Sequence, residues 1–472
     1  MSLVNFISEA KVTLGEKAVL TDAATMAHYT ISMRNRHTAE TPAVVLPETT
    51  QQVTELVKLA RVHGIALVPQ GGNTGLVDGG LPRAGEKEVI INLSRMSKIR
   101  DVDAVGMIAT VEAGAILHNL HAQLAECGLM FPLHIASEGS AEIGGLISAN
   151  AGGHAALRYG VMRHHVLGLE VVLPNGEILS GLKSLAKDNT GYHLASYFIG
   201  AEGTLGIVTA ATLRLLPALR QKLTAVVAVA DIRFAIDLLG ALRMTAGEHL
   251  SAFEFMSQAA LNVFVKNISG ARFPCSTNKA PYYLLIELSA SSDAVPLRAV
   301  FEGVLAPVME CGKVLDAVVA ESETQEQQFW HARDHIPDAL RVEKQRVHFD
   351  IALPIKSLAD FLTHMATVVQ TEYPDIILMP FGHIGDGNVH YNMYFPTPMP
   401  PDRFAAAKKR IQDLVFGEVD RWQGSISAEH GVGVERKEVL ARLKPKAEIE
   451  LMRAVKRAFD PQNLINPGKI FD

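Results

Sequence analysis

Hydrophobic and polar positions follow two different periods along the chain. Residues 42–75 predict a strand (AVVLP), a helix whose apolar positions from Val53 to Ala60 recur at helical spacing with Gly64 as its stop, and a second strand (IALVP). The second strand runs into QGGNTGLVDGG, which begins at Gln70. A strand that ends in a glycine-rich loop can present backbone N–H groups to a phosphate, so this loop is a candidate phosphate-binding site.

Beyond this unit the pattern changes twice. Residues 89–217 predict short β segments with closely spaced glycine turns, including an Asn-Gly turn at Asn175 and Gly176. After Pro217, strands such as TAVVAVA and YYLLIELSA are separated by helical stretches such as 324–340, which predicts a separate α/β or α+β domain. From Trp422 the chain returns to glycine-rich motifs. The predicted domains are therefore 1–219, 220–421 and 422–472.

Composition narrows the classes of function. The 472 residues carry 44 basic and 50 acidic side chains, a net charge of −6, with no basic stripe, so we expect no nucleic-acid partner. The three cysteines have no metal-binding spacing and fit a reducing compartment. The first residues lack a secretory signal, and no apolar run approaches the about 18 residues of a membrane span. We expect a cytoplasmic protein without a transmembrane segment.

Four stretches are rich in small residues: QGGNTG, SEGSAEIGGLISANAGG, GAEGTLGIVT and NPGK. None of them is a Rossmann G-x-G-x-x-G after a strand or a Walker A sequence. Each alone is as well explained by a tight turn. Together they predict a long, phosphate-bearing cofactor that the protein contacts at several points.

The sequence GHIGDGNVHYN predicts a hairpin that brings His383 and His390 together and places Asn392 on the same face as His390. Two histidines alone favour a structural role. SISAEHGVG, which ends a strand-like run, adds a carboxylate at Glu429 followed by His430. Two histidines, one carboxylate and an open position describe a catalytic divalent-metal site.

The first three glycine-rich stretches resemble the FAD-binding domain of the FAD-linked oxidase superfamily of the vanillyl-alcohol oxidase type. H-x-G-D-G-N-x-H followed by S-A-E-H-G resembles the D-2-hydroxyglutarate dehydrogenase and D-lactate dehydrogenase branch of that superfamily. The resemblance covers nearly the whole chain. It implies an α+β fold, with a two-subdomain FAD-binding domain and an α+β substrate (cap) domain with an antiparallel sheet.

The resemblance also implies which residues hold FAD. Since Asn73 and Thr74 occupy the tightest part of the loop, and some members attach FAD through a histidine, we expect non-covalent FAD. The implied cofactor-binding residues are Pro69, Gly71, Gly72, Asn73, Thr74, Gly75, Leu76, Pro132, Ser137, Gly139, Ser140, Ile143, Gly144, Gly145, Ser148, Asn150, Gly152, Gly153, Glu202, Gly203, Gly206, Ile207 and Asn466.

The same resemblance implies the chemistry. His383, His390 and Glu429 would bind zinc or manganese, and His430 would be the catalytic base that removes the hydroxyl proton while the α-hydrogen leaves as hydride to flavin N5. Arg333, three residues after a tryptophan, would bind the substrate carboxylate. His430 beside the metal, Asn392 on the face of His390, and His348 in its protonated form complete the expected substrate-binding set.

Two positions depart from the D-2-hydroxyglutarate pattern: Pro337 stands in place of a threonine and His348 in place of a lysine. D-2-hydroxyglutarate is the expected substrate, and D-lactate or another short D-2-hydroxy acid is the alternative. The expected electron acceptor is an electron-transfer flavoprotein, a quinone or a cytochrome, and a homodimer is expected. A metallohydrolase and a catalytically idle flavoprotein subunit are the alternatives from other classes.

Overall fold

The computed structural model describes residues 2–33, 37–275 and 279–471. Its helices are α1 Ser2–Leu14, α2 Ala23–Thr30, α3 Thr50–His63, α4 Leu117–Glu126, α5 Ile143–Ala149, α6 Ala156–Tyr159, α7 Ala195–Phe198, α8 Ile232–Ala246, α9 Gln258–Asn267, α10 Leu297–Glu310, α11 Glu323–Asp334, α12 Ile336–Arg341, α13 Ile355–Glu372, α14 Pro401–Arg421, α15 Lys437–Leu443 and α16 Lys446–Phe459. Within these described ranges, none of the helices combines the length and the apolar character needed to cross a bilayer.

The strands are β1 Val19–Leu20, β2 Val44–Val45, β3 Leu67–Gln70, β4 Val89–Asn92, β5 Ile99–Asp103, β6 Ile108–Glu112, β7 Leu129–Met130, β8 Val166–Val172, β9 Ile178–Gly181, β10 Ile207–Arg214, β11 Leu216–Pro217, β12 Gln221–Val229, β13 Leu250–Ser257, β14 Tyr282–Ala290, β15 Val314–Val319, β16 Arg346–Ala352, β17 Ile377–Leu378, β18 Phe381–Gly382 and β19 Asn388–Tyr394. The chain forms two compact units. Unit 1 is Met1–Gly153, Val161–Ala218 and Glu429–Asp472, and unit 2 is His154–Gly160 and Leu219–Ala428.

Unit 1 contains a small, mainly parallel sheet with strand order β1-β2-β4-β3. Helices α1 and α3 cover it with a shared apolar core. The predicted end of α3 at Gly64 is confirmed, with φ 64° there, and at the other end the Thr49 side chain accepts the Gln52 N–H at 3.2 Å. Both devices satisfy backbone groups that a helix end leaves without partners.

The second sheet of unit 1 is antiparallel, with order β5-β6-β10-β8-β9. Its strands, with α4, α5 and the last turn of α16, enclose a second core. The predicted Asn-Gly turn joins β8 to β9, with Gly176 at φ 82°. The described part of unit 1 therefore has two main sheets, each with its own large core, and a short β7–β11 pair, which suits a two-part cofactor domain.

Unit 2 is built on one eight-stranded antiparallel sheet, ordered β15-β12-β14-β13-β18-β19-β16 with β17 also paired to β19. The predicted helical stretch 324–340 is divided into α11 and α12 at His335. Pro337 explains the break, because a proline lacks an N–H donor and is tolerated only in the first turn of a helix. The predicted hairpin is confirmed as β18, a turn ending at Gly387 with φ 89°, and β19.

The expected strand-like run before Glu429 is wrong. Between Ser425 and Gly433 the described backbone is irregular, apart from a single bridge between Ser425 and Ala352. The alternating sequence SIS was too short to specify a strand without a paired neighbour. The residues around Glu429 are thus held by loop contacts.

Candidate active site

Two of the predicted flavin segments are in direct contact in unit 1. A Cβ atom added at Gly72 would lie 1.8 Å from the backbone oxygen of Ser140, far inside van der Waals contact. One added at Gly71 would lie 3.2 Å from Cβ of Glu142. Only glycine fits at position 72, so this loop has no side chain there to cover a cofactor phosphate.

Two further flavin segments join the same region of unit 1. Gly203 lies against Pro69, whose Cβ is 3.5 Å from the position of an added Cβ. Nδ2 of Asn466 donates to the backbone oxygen of Glu202 at 2.7 Å, and the Glu202 N–H donates to the backbone oxygen of Ser148 at 2.8 Å. The four predicted flavin segments, which are far apart in the sequence, therefore contact one another in unit 1.

Glu202 holds the loop that follows His430. Its carboxylate accepts the backbone N–H groups of Val432 and Gly433, both at 2.7 Å. Its own backbone has φ 51°, which is unusual for glutamate and requires compensating contacts. Burial raises the pKa of Glu202, and the two N–H donors oppose that rise. The Glu202 side chain is therefore occupied by the backbone of the C-terminal segment of unit 1.

Glu142 is a residue of this region that the sequence analysis missed. Its side chain is buried, and Oε2 has no hydrogen-bond partner among the residues that the structure describes. Burial raises its pKa to about 8, so the apo carboxyl group is mostly protonated at neutral pH. A buried polar atom without a partner is costly, and a ligand hydroxyl or ring nitrogen would satisfy it.

Other predicted flavin residues have clear roles in packing. Gly144, in α5, lies against Ala113, which an added Cβ would approach to 2.8 Å. Asn150 ends α5 at φ 51°, and Ile207, the first residue of β10, is buried in the core. Gly75 and Gly139 have open space where a side chain would stand, and Oε2 of Glu142 has no partner among the described residues. Both features fit a bound FAD, since the first leaves room for a ligand close to the backbone and the second can take a polar ligand atom.

In unit 2, the hairpin brings His383 and His390 together, with ring centroids 5.5 Å apart. Nδ1 of His383 lies 2.6 Å from Oε1 of Glu254, and Nδ1 of His390 lies 3.7 Å from Oδ1 of Asp350. The Glu254 carboxylate lies at hydrogen-bond distance, so it orients His383 and makes it a stronger metal ligand, and Asp350 lies within ion-pair distance of His390. This donor set fits a divalent metal.

Glu254 also binds Arg333, the predicted substrate arginine. Nε of Arg333 donates to Oε2 of Glu254 at 2.7 Å, and NH2 lies 3.3 Å from Nε2 of His383. Burial alone would raise the pKa of Glu254, but His383 and Arg333 hold it well below its usual range. The signal for Glu254 in the sequence was a lone acidic residue inside the apolar strand SAFEFM.

The residue before Glu429 is hydrogen-bonded to strand β16. The N–H of Ala428 donates to the backbone oxygen of Asp350 at 3.4 Å, and Glu429 is the next residue. The Cα atom of Glu429 is therefore about 3.8 Å from that of the residue bonded to β16. His430 follows in turn, with NH2 of Arg436 at 3.5 Å from its Nδ1.

The register of β16 and β19 defines one face of the unit 2 sheet. Asp350 pairs with His390, His348 with Asn392, and Arg346 with Tyr394. Residues that are directly opposite, and those two apart on one strand, point to the same side. The predicted substrate residues His348 and Asn392 thus share the face of His390, and so does Arg346, which the sequence analysis missed.

Arg346 is half-buried, and its side chain has no hydrogen bond or ion pair with the residues that the structure describes. Burial lowers its pKa, and the nearby charge of Arg341 adds to that effect. A guanidinium stays protonated under such shifts. Arg346 is therefore a partly desolvated cation on the same face as His348.

Comparison with known proteins agrees with this architecture. A family model for an FAD binding domain matches residues 41–181, and one for the C-terminal domain of FAD linked oxidases matches residues 219–470. The D-2-hydroxyglutarate dehydrogenase of Stutzerimonas stutzeri (strain A1501) is 37% identical over 98% of this chain and 98% of its own length. A mitochondrial protein of Schizosaccharomyces pombe, provisionally assigned as a D-lactate dehydrogenase, is 34% identical over 95% and 85%.

Among solved structures, p-cresol methylhydroxylase with substrate bound aligns with a TM-score of 0.77 at 18% identity, covering 100% of this chain and 97% of that chain. At this identity the likeness shows the fold alone. It confirms the predicted α+β fold of the vanillyl-alcohol oxidase type. The chain belongs to the FAD-linked oxidase family and carries its FAD-binding domain.

Proposed function

We propose that this protein is an FAD- and divalent-metal-dependent dehydrogenase that oxidises a D-2-hydroxy acid to the 2-oxo acid, with D-2-hydroxyglutarate as its substrate. The names of relatives such as the Stutzerimonas stutzeri enzyme support the class of reaction. The observation that supports a substrate with a second carboxylate is Arg346, a partly buried cation on the face that carries His390 and Asn392.

Arg346 can supply the positive charge that is missing where His348 stands in place of a lysine. Successive residues on one face of an antiparallel strand are about 6.8 Å apart, so His348 and Arg346 extend away from Asp350 in two steps of that length. The long arginine side chain can cover the second step. A planar guanidinium binds a carboxylate through two parallel hydrogen bonds, which a neutral histidine cannot do. Arg346 can therefore bind the distal carboxylate where relatives with the family pattern use lysine.

Named residues would bind the metal. His383, His390 and Glu429 would hold Zn²⁺, with Mn²⁺ as the alternative, and FAD would be bound non-covalently. The metal would lower the pKa of the substrate hydroxyl, and FAD would take up the two electrons released at the α-carbon. The remaining steps belong to side chains of the protein.

Those side chains bind the substrate and move its proton. His430 accepts the hydroxyl proton as the general base. Arg333, anchored by Glu254, directs its outer guanidinium edge to the carboxylate beside the hydroxyl, and Asn392 donates to the same carboxylate. Glu202 keeps the loop after His430 in place through the N–H groups of Val432 and Gly433.

Anaerobic flavin reduction tests the proposal directly. D-2-hydroxyglutarate should bleach the flavin of metal-replete protein with a higher kcat/KM than D-lactate. R346Q should reduce kcat/KM for D-2-hydroxyglutarate by roughly 10- to 100-fold, the loss of a charge-assisted pair worth about 1.5–3 kcal/mol, and should leave D-lactate almost unchanged. R410Q is the matched control, since Arg410 is an exposed arginine paired with Glu372 and is not among the substrate-binding residues.

Three outcomes would redirect the proposal. A faster reaction with D-lactate in the unaltered protein would select the short-acid alternative, which the Schizosaccharomyces pombe relative represents by name. An equal loss for both acids in R346Q would remove Arg346 from the distal subsite. A protein without a flavin spectrum would favour the metallohydrolase alternative, and a flavin that no D-2-hydroxy acid reduces would favour an idle flavoprotein subunit.

The electron acceptor is the third component of the proposal. An electron-transfer flavoprotein, a quinone or a cytochrome would reoxidise the flavin. The protein would act as a homodimer in the cytoplasm. Turnover assays with one acceptor of each class, together with light scattering, test these assignments.

A further inference from the structure

A second cluster of metal-ligating side chains lies in unit 1, apart from the histidines of the unit 2 hairpin. It consists of His121, His134 and Glu138, and the ligand atoms of all three lie within 4.8 Å of one another. His121 is on α4, whereas His134 and Glu138 belong to the segment between β7 and α5. The proposed catalytic chemistry uses none of the three.

The backbone holds these side chains in place. The N–H of His118 in α4 donates to the backbone oxygen of Glu138 at 3.1 Å, and that of Leu117 to Ala141 at 2.9 Å. The segment that carries His134 and Glu138 is thus bonded to the first turn of α4. A metal bound by the cluster would need little rearrangement of the backbone, which lowers the entropic cost of binding.

The distances fit a small metal ion better than a hydrogen-bond network. Oε2 of Glu138 lies 3.2 Å from Nδ1 of His134 and 3.8 Å from Nδ1 of His121. The second distance is too long for a hydrogen bond. Ligand atoms about 2.0–2.1 Å from a tetrahedral Zn²⁺ are about 3.4 Å from one another, and the two observed distances bracket that value.

The ionisation states also suit a metal. Burial, with the neighbouring His134, lowers the pKa of His121 to about 4, so its ring is neutral at pH 7. The hydrogen bond from His134 lowers the pKa of Glu138 and keeps it ionised, although burial opposes this. A backbone hydrogen bond with Leu133 helps to hold the His121 ring, and its Nε2 is buried without a hydrogen-bond partner among the described residues.

We propose that His121, His134 and Glu138 form a second binding site for a divalent transition metal, of which Zn²⁺ is the representative ion. Two imidazoles and a carboxylate with open positions are ligands that Zn²⁺ accepts. The bound ion ties α4 to the segment that carries Ser137, Gly139 and Ser140. It therefore stabilises unit 1, and it takes no part in the reaction proposed at His383 and His390.

Counting bound zinc in flavin-loaded protein tests the site. In the H383Q/H390Q background, which removes the hairpin ligands, equilibrium dialysis against micromolar Zn²⁺ should find one ion per chain. Adding H134Q and E138Q should weaken that binding at least tenfold. H63Q is the matched control, because His63 and Glu9 form a two-member pair at 3.2 Å on unit 1 and should not hold the ion.

Thermal unfolding gives a second measurement that does not depend on activity. Zinc should raise the Tm of the H383Q/H390Q protein, because a ligand that binds only the folded state stabilises it. The rise should vanish when H134Q and E138Q are added, while the Tm without metal and the flavin content stay unchanged. H134Q alone serves if the double change impairs folding, since His134 is half-exposed.

Clear results would overturn the site. Absence of a bound ion in the H383Q/H390Q background, or full zinc binding in the variant that also carries H134Q and E138Q, would show that the cluster is a surface His–Glu pair. Equal zinc loss in H63Q would show non-specific binding to histidine. None of these outcomes depends on whether D-2-hydroxyglutarate is the substrate.

Discussion

The flavin region of unit 1 and the β16–β19 face of unit 2 are built in opposite ways. The first depends on backbone: at Gly72 the chain approaches Ser140 so closely that any side chain would collide. The second depends on side chains that two paired strands align, such as His390 beside Asp350 and His348 beside Asn392. Backbone sites need particular residue types at fixed spacing, whereas side-chain sites need a particular register. Mutations should separate the two designs.

The largest effect should come from Gly72→Ala. The added Cβ would lie 1.8 Å from the Ser140 oxygen, and because that atom is backbone, the loop itself must move. We expect the purified protein to lose nearly all of its flavin, measured as the ratio of flavin to protein absorbance. Gly240→Ala in α8 is the control, since an added Cβ there meets nothing within 4 Å and the residue lies outside the predicted flavin set. Equal flavin loss in both variants would contradict this explanation.

Glu254→Gln should be the most damaging change in unit 2. It leaves buried Arg333 and His383 without their shared carboxylate, and breaking a buried ion pair costs about 3–5 kcal/mol of unfolding free energy. Because the folded-state pKa of Glu254 is lowered, its contribution is present at neutral pH and is lost as the pH falls below the usual carboxylate range.

Urea unfolding measures this difference. The matched control is Glu372→Gln, which removes an exposed pair with Arg410 at 3.0 Å and should cost about 0–1 kcal/mol. If the two variants lose similar stability, the contacts of Glu254 with Arg333 and His383 stabilise the fold no more than an exposed ion pair does.

A smaller effect is expected from Asp350→Asn. The variant keeps the shape of the side chain but weakens the carboxylate behind His390, so zinc binding at the hairpin should weaken by about 10- to 100-fold. Dialysis in the H134Q/E138Q background counts only this site. Asp338→Asn, at an exposed pair with Arg341, should leave zinc binding unchanged. An unchanged affinity in Asp350→Asn would show that His390 needs no carboxylate to orient it.

The two designs also explain what sequence alone could predict. The end of α3 and the β18–β19 hairpin followed from local signals, namely Gly64 and the turn that ends at Gly387. The family followed from glycine and histidine spacing. These features depend on residues that are close together in the chain, and propensity and turn chemistry act over that range.

Features that depend on distant pairing could not be predicted. Glu254 meets His383 because β13 pairs with β18, two strands far apart in sequence. Arg346 shares a face with Asn392 only in the observed register of β16 and β19. α5 lies within a stretch that looked like a glycine loop, because tertiary packing of Gly144 on Ala113 outweighs the low helix propensity of glycine.

The hydrogen bonds that Glu202 accepts from Val432 and Gly433 have a consequence for biosynthesis. These partners are 230 and 231 residues apart, so the bond closes a loop of about half the chain. A ribosome adds about 5–20 residues per second, and contacts between such distant residues form late. A nascent chain that ends before residue 429 lacks both His430 and the partners of Glu202. The enzyme can therefore become competent only when its last segment has left the ribosome and docked.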